Sequence, residues 1–359
     1  MATSTVEAEL TMAGDFLWGL KTFFDPTIKG GNYTNAMEPM LDLQKVVALL
    51  TALKSSIATG EWPATTPAPV KAMLGAIPPR SALLLVGLMS GLPTQSAHFD
   101  GSTGPGSPNS AAYTSFAVAG SPALAILENG ASAAVLAVLA TADVEQQSGG
   151  AIFDNSKTDY AARIADDLTT YNAALSGNTA IKGMLAFINP ANPAAPRFKG
   201  DAAAMDKLAG FMKNTGKINV PTVSLHGTAD PSVPAGNTQW LADQYAPQWE
   251  AAKAAAVAKA AATGKWVAAK PMFTPLWNNP PTTYTQFFSD GTPDASPAPV
   301  TGTNHYNYTA AQLSALAQIL VNAAANGHVQ PDATFRALGR KAGGIVDTTY
   351  RAPLLPFYQ

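Results

Sequence analysis

No cysteine occurs anywhere in the 359 residues. Disulfides and thiolate metal sites are therefore excluded, and the redox compartment leaves no mark on the composition. Charge is scarce as well: Asp, Glu, Lys and Arg make up 13% of the chain, with a net charge of −2, against a usual charged share of about a quarter. No block of Lys and Arg appears. A nucleic-acid or anionic-membrane partner calls for a basic surface, so neither is expected. Long apolar runs are missing too. The longest, at 82–92, is far short of the roughly 20 residues that cross a bilayer, so no membrane span is expected. The first eighteen residues carry neither a positive n-region nor an apolar h-region and do not read as a signal peptide. The four histidines, His98, His226, His305 and His328, are scattered without the short spacing of a zinc helix, and no metal or other cofactor is expected.

What is present is a large apolar complement, 47% of residues, enough for one large domain or two ordinary ones. Residues 1–60 read as helical: 40–53 (MLDLQKVVALLTAL) spaces its apolar side chains for a helix, and Gly60 is a natural stop. A proline-rich connector follows at 62–79. The apolar run 82–92 leads into a loop, 93–109, dense in Gly, Ser, Thr and Pro and long enough to suggest a functional or lid-like role. The alanine-rich stretch 121–145 suits a helix with Pro122 in its first turn, and 159–175 and 201–213 read as further helices. The character changes at Lys217. Residues 217–226 (KINVPTVSLH) are strand-like and end at Gly227, 238–262 is helical, and 271–300 is rich in Pro, Asn and Thr and reads as irregular. A last amphipathic helix starts at its cap Thr309 and stops at Gly327. No repeat of fixed period is found.

Two residues in the last third carry recognisable chemistry. The segment VPTVSLHGTADPSVPAG is a strand, a glycine turn and then Asp230 in the loop at the strand's carboxyl end, where open α/β sheets place functional groups. Some 75 residues later, TGTNHYNYTAAQLSALAQIL sets His305 on a loop directly before a helix. Acid first and histidine second matches the late members of a Ser…Asp…His order. Histidine moves a proton near neutral pH, and a carboxylate fixes its tautomer and steadies the imidazolium. Each residue also has a plain reading: Asp-Pro starts ordinary turns, and a loop histidine is usually a surface group. His226 reads as structural at the strand end, His98 as loop material that could line a pocket, and His328 as solvated.

The runs NVPTVSLHGTADPSVPAGNTQWLADQY and TGTNHYNYTAAQLSALAQILVNAAANGH resemble the acid loop and the "Gly-x-x-His, aromatic, Thr, helix" ending of bacterial α/β-hydrolases. The stretch DVEQQSGGAIFDNSKTDYAARI is similar to the lid of some secreted members, with its Gly-Gly-x-x-x-x-Asn pattern ahead of a Tyr. Together these cover roughly 140–330. The resemblance implies an α/β, α/β-hydrolase-like, helix-rich fold with a large helical lid and an incomplete sheet. Residues 1–215 would form the lid with a remnant of the core, and 216–359 the rear of the core. It also implies secretion, Asp230 as triad acid and His305 as triad base.

The nucleophile is the gap. No Gly-x-Ser-x-Gly occurs, although the chemistry needs a serine on a tight strand-to-helix turn between small neighbours. Ser90 has Leu88 and Leu92 at the small positions. Ser121 precedes Pro122, which cannot offer the N–H that half-builds an oxyanion hole. Ser132, between Gly130 and Ala134, fits the small-residue rule and is the least poor candidate, yet it lies in an alanine-rich helix. The opening ELTMAGDFLWGLKTFFDP resembles the part that follows the nucleophile helix, so the missing elbow is expected on an upstream segment or a partner chain. The leading expectation is a serine hydrolase acting on a small or lipophilic ester. The alternative is a truncated or non-catalytic homologue that serves as a binding protein. A helical protein without hydrolase ancestry would instead leave Asp230 and His305 far apart.

Overall fold

In the computed structural model, the residues described are 6–100, 120–165, 177–211, 215–289, 293–330, 333–342 and 350–355. The chain divides into two compact units, one built from 6–212 with 281–300 and the other from 213–280 with 301–358. The sequence places its dividing line at 215; the contacts place it at 212 and group 281–300 with the first unit.

The first unit is helical. Its elements are α1 (Val6–Phe23), α2 (Met37–Thr59), α3 (Ala68–Leu74), α4 (Pro79–Ser90), α5 (Gly120–Ser148), α6 (Tyr160–Arg163), α7 (Gly177–Phe187) and α8 (Ala202–Phe211). The apolar run 82–92 forms α4, because Pro78 and Pro79 set the first-turn geometry of a helix. Every side chain of α4 is buried, which explains why no polar face was visible in its sequence. Phe16, Leu17, Leu53, Leu84, Val86 and Ile126 share one core with it. Helix α5 is long and apolar enough to cross a bilayer, but 61% of its most apolar window is buried inside this unit, as befits a central core helix.

Polar ties hold the loops of this unit. The backbone N–H groups of Lys29 and Gly30 donate to Asp42, and those of Asn32 and Tyr33 donate to Glu145. In the Gly149-Gly150 segment, Asn155 donates to the Tyr160 hydroxyl at 2.9 Å and accepts from the Phe198 N–H at 2.7 Å. Tyr160 and Arg163 both donate to buried Asp15. The returning stretch 281–300 contains a short antiparallel pair, β3 (Gln286–Phe287) with β4 (Pro293–Asp294). It is fastened to residues 95–100: the Tyr284 and Thr285 N–H groups donate to Asp100, and His98 bridges the Glu128 carboxylate and the Pro297 carbonyl.

The second unit is a three-layer α/β arrangement. Strand β1 (Thr222–Gly227) runs parallel to β2 (Phe273–Asn278), paired from Thr222 with Phe273 to Gly227 with Asn278. Helix α9 (Ala235–Thr263) connects them, and α10 (Ala310–Asn326) and α11 (Ala333–Lys341) follow. Side chains alternate between the two faces of a strand. Leu225 and Leu276 therefore meet Ile319 and Ala323 of α10, while Phe273 turns to Leu241 and Tyr245 of α9.

Strand β2 lies in the segment whose composition reads as irregular. Its Pro275 explains both facts. In β2 the carbonyls of even-numbered Met272 and Asn278 accept from β1, so odd-numbered Pro275 turns its missing N–H to the outer edge, where no ladder bond is needed. Truncating Leu276 to Ala, at the centre of this sheet, is expected to lower the unfolding free energy by about 2–5 kcal/mol. Denaturant titration followed by circular dichroism measures it.

Candidate functional site

The carboxyl ends of β1 and β2 carry the pair singled out in the sequence. The Asp230 side chain is 4% exposed and accepts from His305 Nδ1 at 2.8 Å, across 75 positions of sequence. Its other oxygen accepts from the N–H groups of Ser232 and Val233, at 2.8 and 2.9 Å. The Asp-Pro turn and the acid are thus one device: the turn that follows Asp230 supplies the donors that fix where its carboxylate points. With Nδ1 donating to Asp230, Nε2 of His305 is left as the nitrogen that can accept a proton. A third of the His305 side chain reaches solvent.

The acid loop has a second brace. His226 is buried, receives the Thr238 hydroxyl at Nδ1 (2.8 Å), and donates from Nε2 to the Val233 carbonyl at 2.6 Å. It lies against the Trp277 ring. Val233 therefore donates to Asp230 and accepts from His226, so the histidine grips the far end of the turn that orients the acid. Burial pulls the His226 imidazole below its ordinary value, which keeps it neutral and suits one nitrogen accepting and the other donating.

The base loop is held by the edge of β1. In β1, Thr222 and Thr228 donate to β2, so the odd-numbered backbone groups face the other edge. There Tyr308 takes the place of a strand: its hydroxyl accepts from the Gly227 N–H at 3.1 Å and donates to the Leu225 carbonyl at 3.0 Å. Burial pushes this phenol up to about 12, so it stays a donor. Just beyond, the Ala229 N–H donates to the Gly302 carbonyl at 2.9 Å, and Ala229 and Thr303 form a parallel bridge. The loop from β2 thus crosses the end of β1 before it delivers His305.

Two glycines allow that crossing. A Cβ on Gly302 (φ +85) would lie 2.4 Å from the Asn278 carbonyl oxygen, and one on Gly227 would lie 3.0 Å from the Gly302 carbonyl oxygen. His305 itself sits between Asn304 and Tyr306, both at positive φ (57 and 62). Two non-glycine residues in the left-handed region on either side of one histidine is a strained arrangement of the kind that clusters at functional sites. After it, Thr309 and Gln312 form a capping box at the start of α10, and Gln312 also bonds Asn278 at the end of β2.

The serines weighed as nucleophiles fall elsewhere. Ser90 ends α4, buried, and donates to the Val86 and Gly87 carbonyls of its own helix. Ser132 lies within α5, exposed, and donates to the Glu128 carbonyl one turn back. Neither stands on a strand-to-helix turn, and both belong to the first unit. Ser121 is in the first turn of α5, but its side chain lies outside the described residues. So does most of the Gly/Ser-rich loop, from 101 onward. Among the described residues, no group of three or more His, Asp or Glu side chains converges on a point that could hold a metal ion.

The sequence names Asp230 and His305, which the structure brings together, but passes over Tyr308 and Gly302 and reads His226 as structural. The signal for Tyr308 was present: a polar aromatic between a histidine and a helix cap, within reach of a strand end. No family model matches the chain, and no curated protein and no solved structure matches it either.

Two outcomes are expected from these contacts. A buried neutral histidine whose folded pKa lies below its unfolded value of about 6.5 contributes stability that is complete above that pH. The contribution is lost as pH falls through the folded value. His226→Gln, which can make both hydrogen bonds without titrating, is therefore expected to lose less stability than the wild type between pH 7 and pH 5, as read by thermal melts. Tyr308→Phe strands the Gly227 N–H and the Leu225 carbonyl and is expected to cost about 1–3 kcal/mol. If it melts like wild type, Tyr308 does not close the strand edge.

Proposed function

We propose that the chain supplies the acid–base pair of a serine-hydrolase-type acyl transfer, with an ester of a small or lipophilic acid as substrate. The single observation that carries this reading is the Asp230–His305 bond, made between loops at the carboxyl ends of two neighbouring parallel strands. The strand, acid, strand, histidine, helix order agrees with the resemblance to α/β-hydrolases drawn from the residues around 219–245 and 301–328.

In this scheme Nε2 of His305 takes the proton of a serine hydroxyl as its oxygen attacks the ester carbonyl. It then gives the proton to the departing alkoxide. Asp230 holds Nδ1 and stabilises the imidazolium, and its two backbone donors keep it from turning away. A water molecule activated by the same imidazole releases the acid from the serine.

A second reading has its own support. Ser90 and Ser132 are both committed to hydrogen bonds within helices, which favours a homologue that retains the acid–base pair but binds rather than cleaves.

A fluorophosphonate probe, applied to the whole chain and followed by peptide mapping, separates the two. Labelling of one serine, lost in His305→Ala and slowed on the order of 10⁴-fold in Asp230→Asn, is the expected result. Folded protein that stays unlabelled, and that hydrolyses short p-nitrophenyl esters no faster than His305→Ala does, would leave the binding reading in its place.

A further inference from the structure

Helix α9 does two things along its 29 residues. Its first half carries the buried positions, Leu241 and Tyr245 among them. Its second half, 251–263, has no fully buried residue, and the exposed stretch continues past the left-handed cap Gly264 (φ 66) through 270. An alanine-rich helix with so little of its surface buried is marginal on propensity alone, and the chain just past its end presents the apolar pair Trp266 and Val267, 66% and 56% exposed, with Val257 at 57%. Trp266 is the one tryptophan among the six that is largely exposed. Exposed apolar side chains standing singly are ordinary; what singles out this tip is that a tryptophan and a valine are exposed side by side.

The charges on the same stretch all have one sign. Lys253, Lys259, Lys265 and Lys270 fall between 251 and 270, and no Asp or Glu occurs from 251 to 289. Among the described residues, Lys253 pairs with Glu250 at 2.7 Å one turn back. Spaced five or six residues apart, these lysines form no block in the sequence; along an exposed arm they make a cationic margin around an apolar tip.

We propose that this arm, from the second half of α9 through Lys270, docks on an anionic lipid surface. The chemistry favours that occupant over a nucleic acid. A nucleic-acid strand calls for several stacking aromatics along a cationic track, whereas one tryptophan beside a valine, flanked by lysines, matches the interface of a bilayer: indole sits at headgroup depth, and lysine stems reach past it to the lipid phosphates. The Lys265 N–H bonds the Thr263 hydroxyl and Gly264 turns the chain, so the Lys265-Trp266-Val267 tip follows a formed turn. This revises the expectation of no anionic-membrane partner and does not depend on the hydrolase reading.

The test is co-sedimentation of the full chain with vesicles of phosphatidylcholine alone and with about one-third phosphatidylglycerol, at low and high salt. Binding is expected only to the mixed vesicles, weakened by salt. It should bring a blue shift of tryptophan emission that vanishes in Trp266→Phe. Replacing Lys259, Lys265 and Lys270 together by Gln should lower partitioning about 100-fold, since each basic residue near such a surface counts for roughly fivefold. All these positions are exposed, and circular dichroism checks that the fold persists. Three results would each overturn the proposal: equal binding to both vesicles, binding indifferent to Trp266→Ser with Val267→Ser, or self-association of the free chain that this double variant abolishes.

Discussion

How closely two stretches of backbone can approach decides whether this molecule has a site at all. The end of β1 meets the returning loop where a Cβ on Gly227 would lie 3.0 Å from the Gly302 carbonyl oxygen, and Gly302 in turn passes the backbone at 278–280 with no room for a side chain. From that contact follow the bond between Ala229 and Gly302, the Thr303 bridge, and the reach of His305 to Asp230. The electrostatics come second. A carboxylate with two backbone donors and an imidazole is well satisfied in a low-exposure setting, but only because the loops already meet.

Around the pair, neutral groups do the bracing. His226 and Tyr308 are both titratable, yet burial holds the first uncharged and the second protonated. Each then uses its two hydrogen-bonding capacities on backbone or hydroxyl partners. The charge of Asp230 is thereby reserved for His305. Had either brace been ionic, it would have competed for the same carboxylate.

Much of the helical architecture was legible in the residues. Helices α2 and α10 announce themselves by apolar spacing and by Gly60 and Gly327 past their ends, and α10 also by its cap Thr309. Strand β1 was visible through its valines and terminal glycine. Strand β2 was not, because Pro275 and the neighbouring Asn and Pro residues mask a core strand whose one proline sits at an outer edge. Asp230 and His305 could be singled out as a pair because that expectation rests on residue type and order alone. Their braces could not, because Tyr308 acts through the direction in which odd-numbered groups of β1 point, and the positive φ of Asn304 and Tyr306 is a consequence of the crossing rather than of composition.

The path of the chain between β2 and His305 has one more consequence. Residues 281–300 leave the unit that holds the pair and belong to the helical unit, fastened there through the Tyr284–Asp100 bond and the bond from His98 to the Pro297 carbonyl, before the chain returns at 301. The two units are therefore stitched together by three passages of the backbone, at 212, 280 and 300. Such a protein does not come apart into exchangeable modules: a gene cut near 212 would yield a C-terminal piece with its 281–300 stretch deprived of its docking ground.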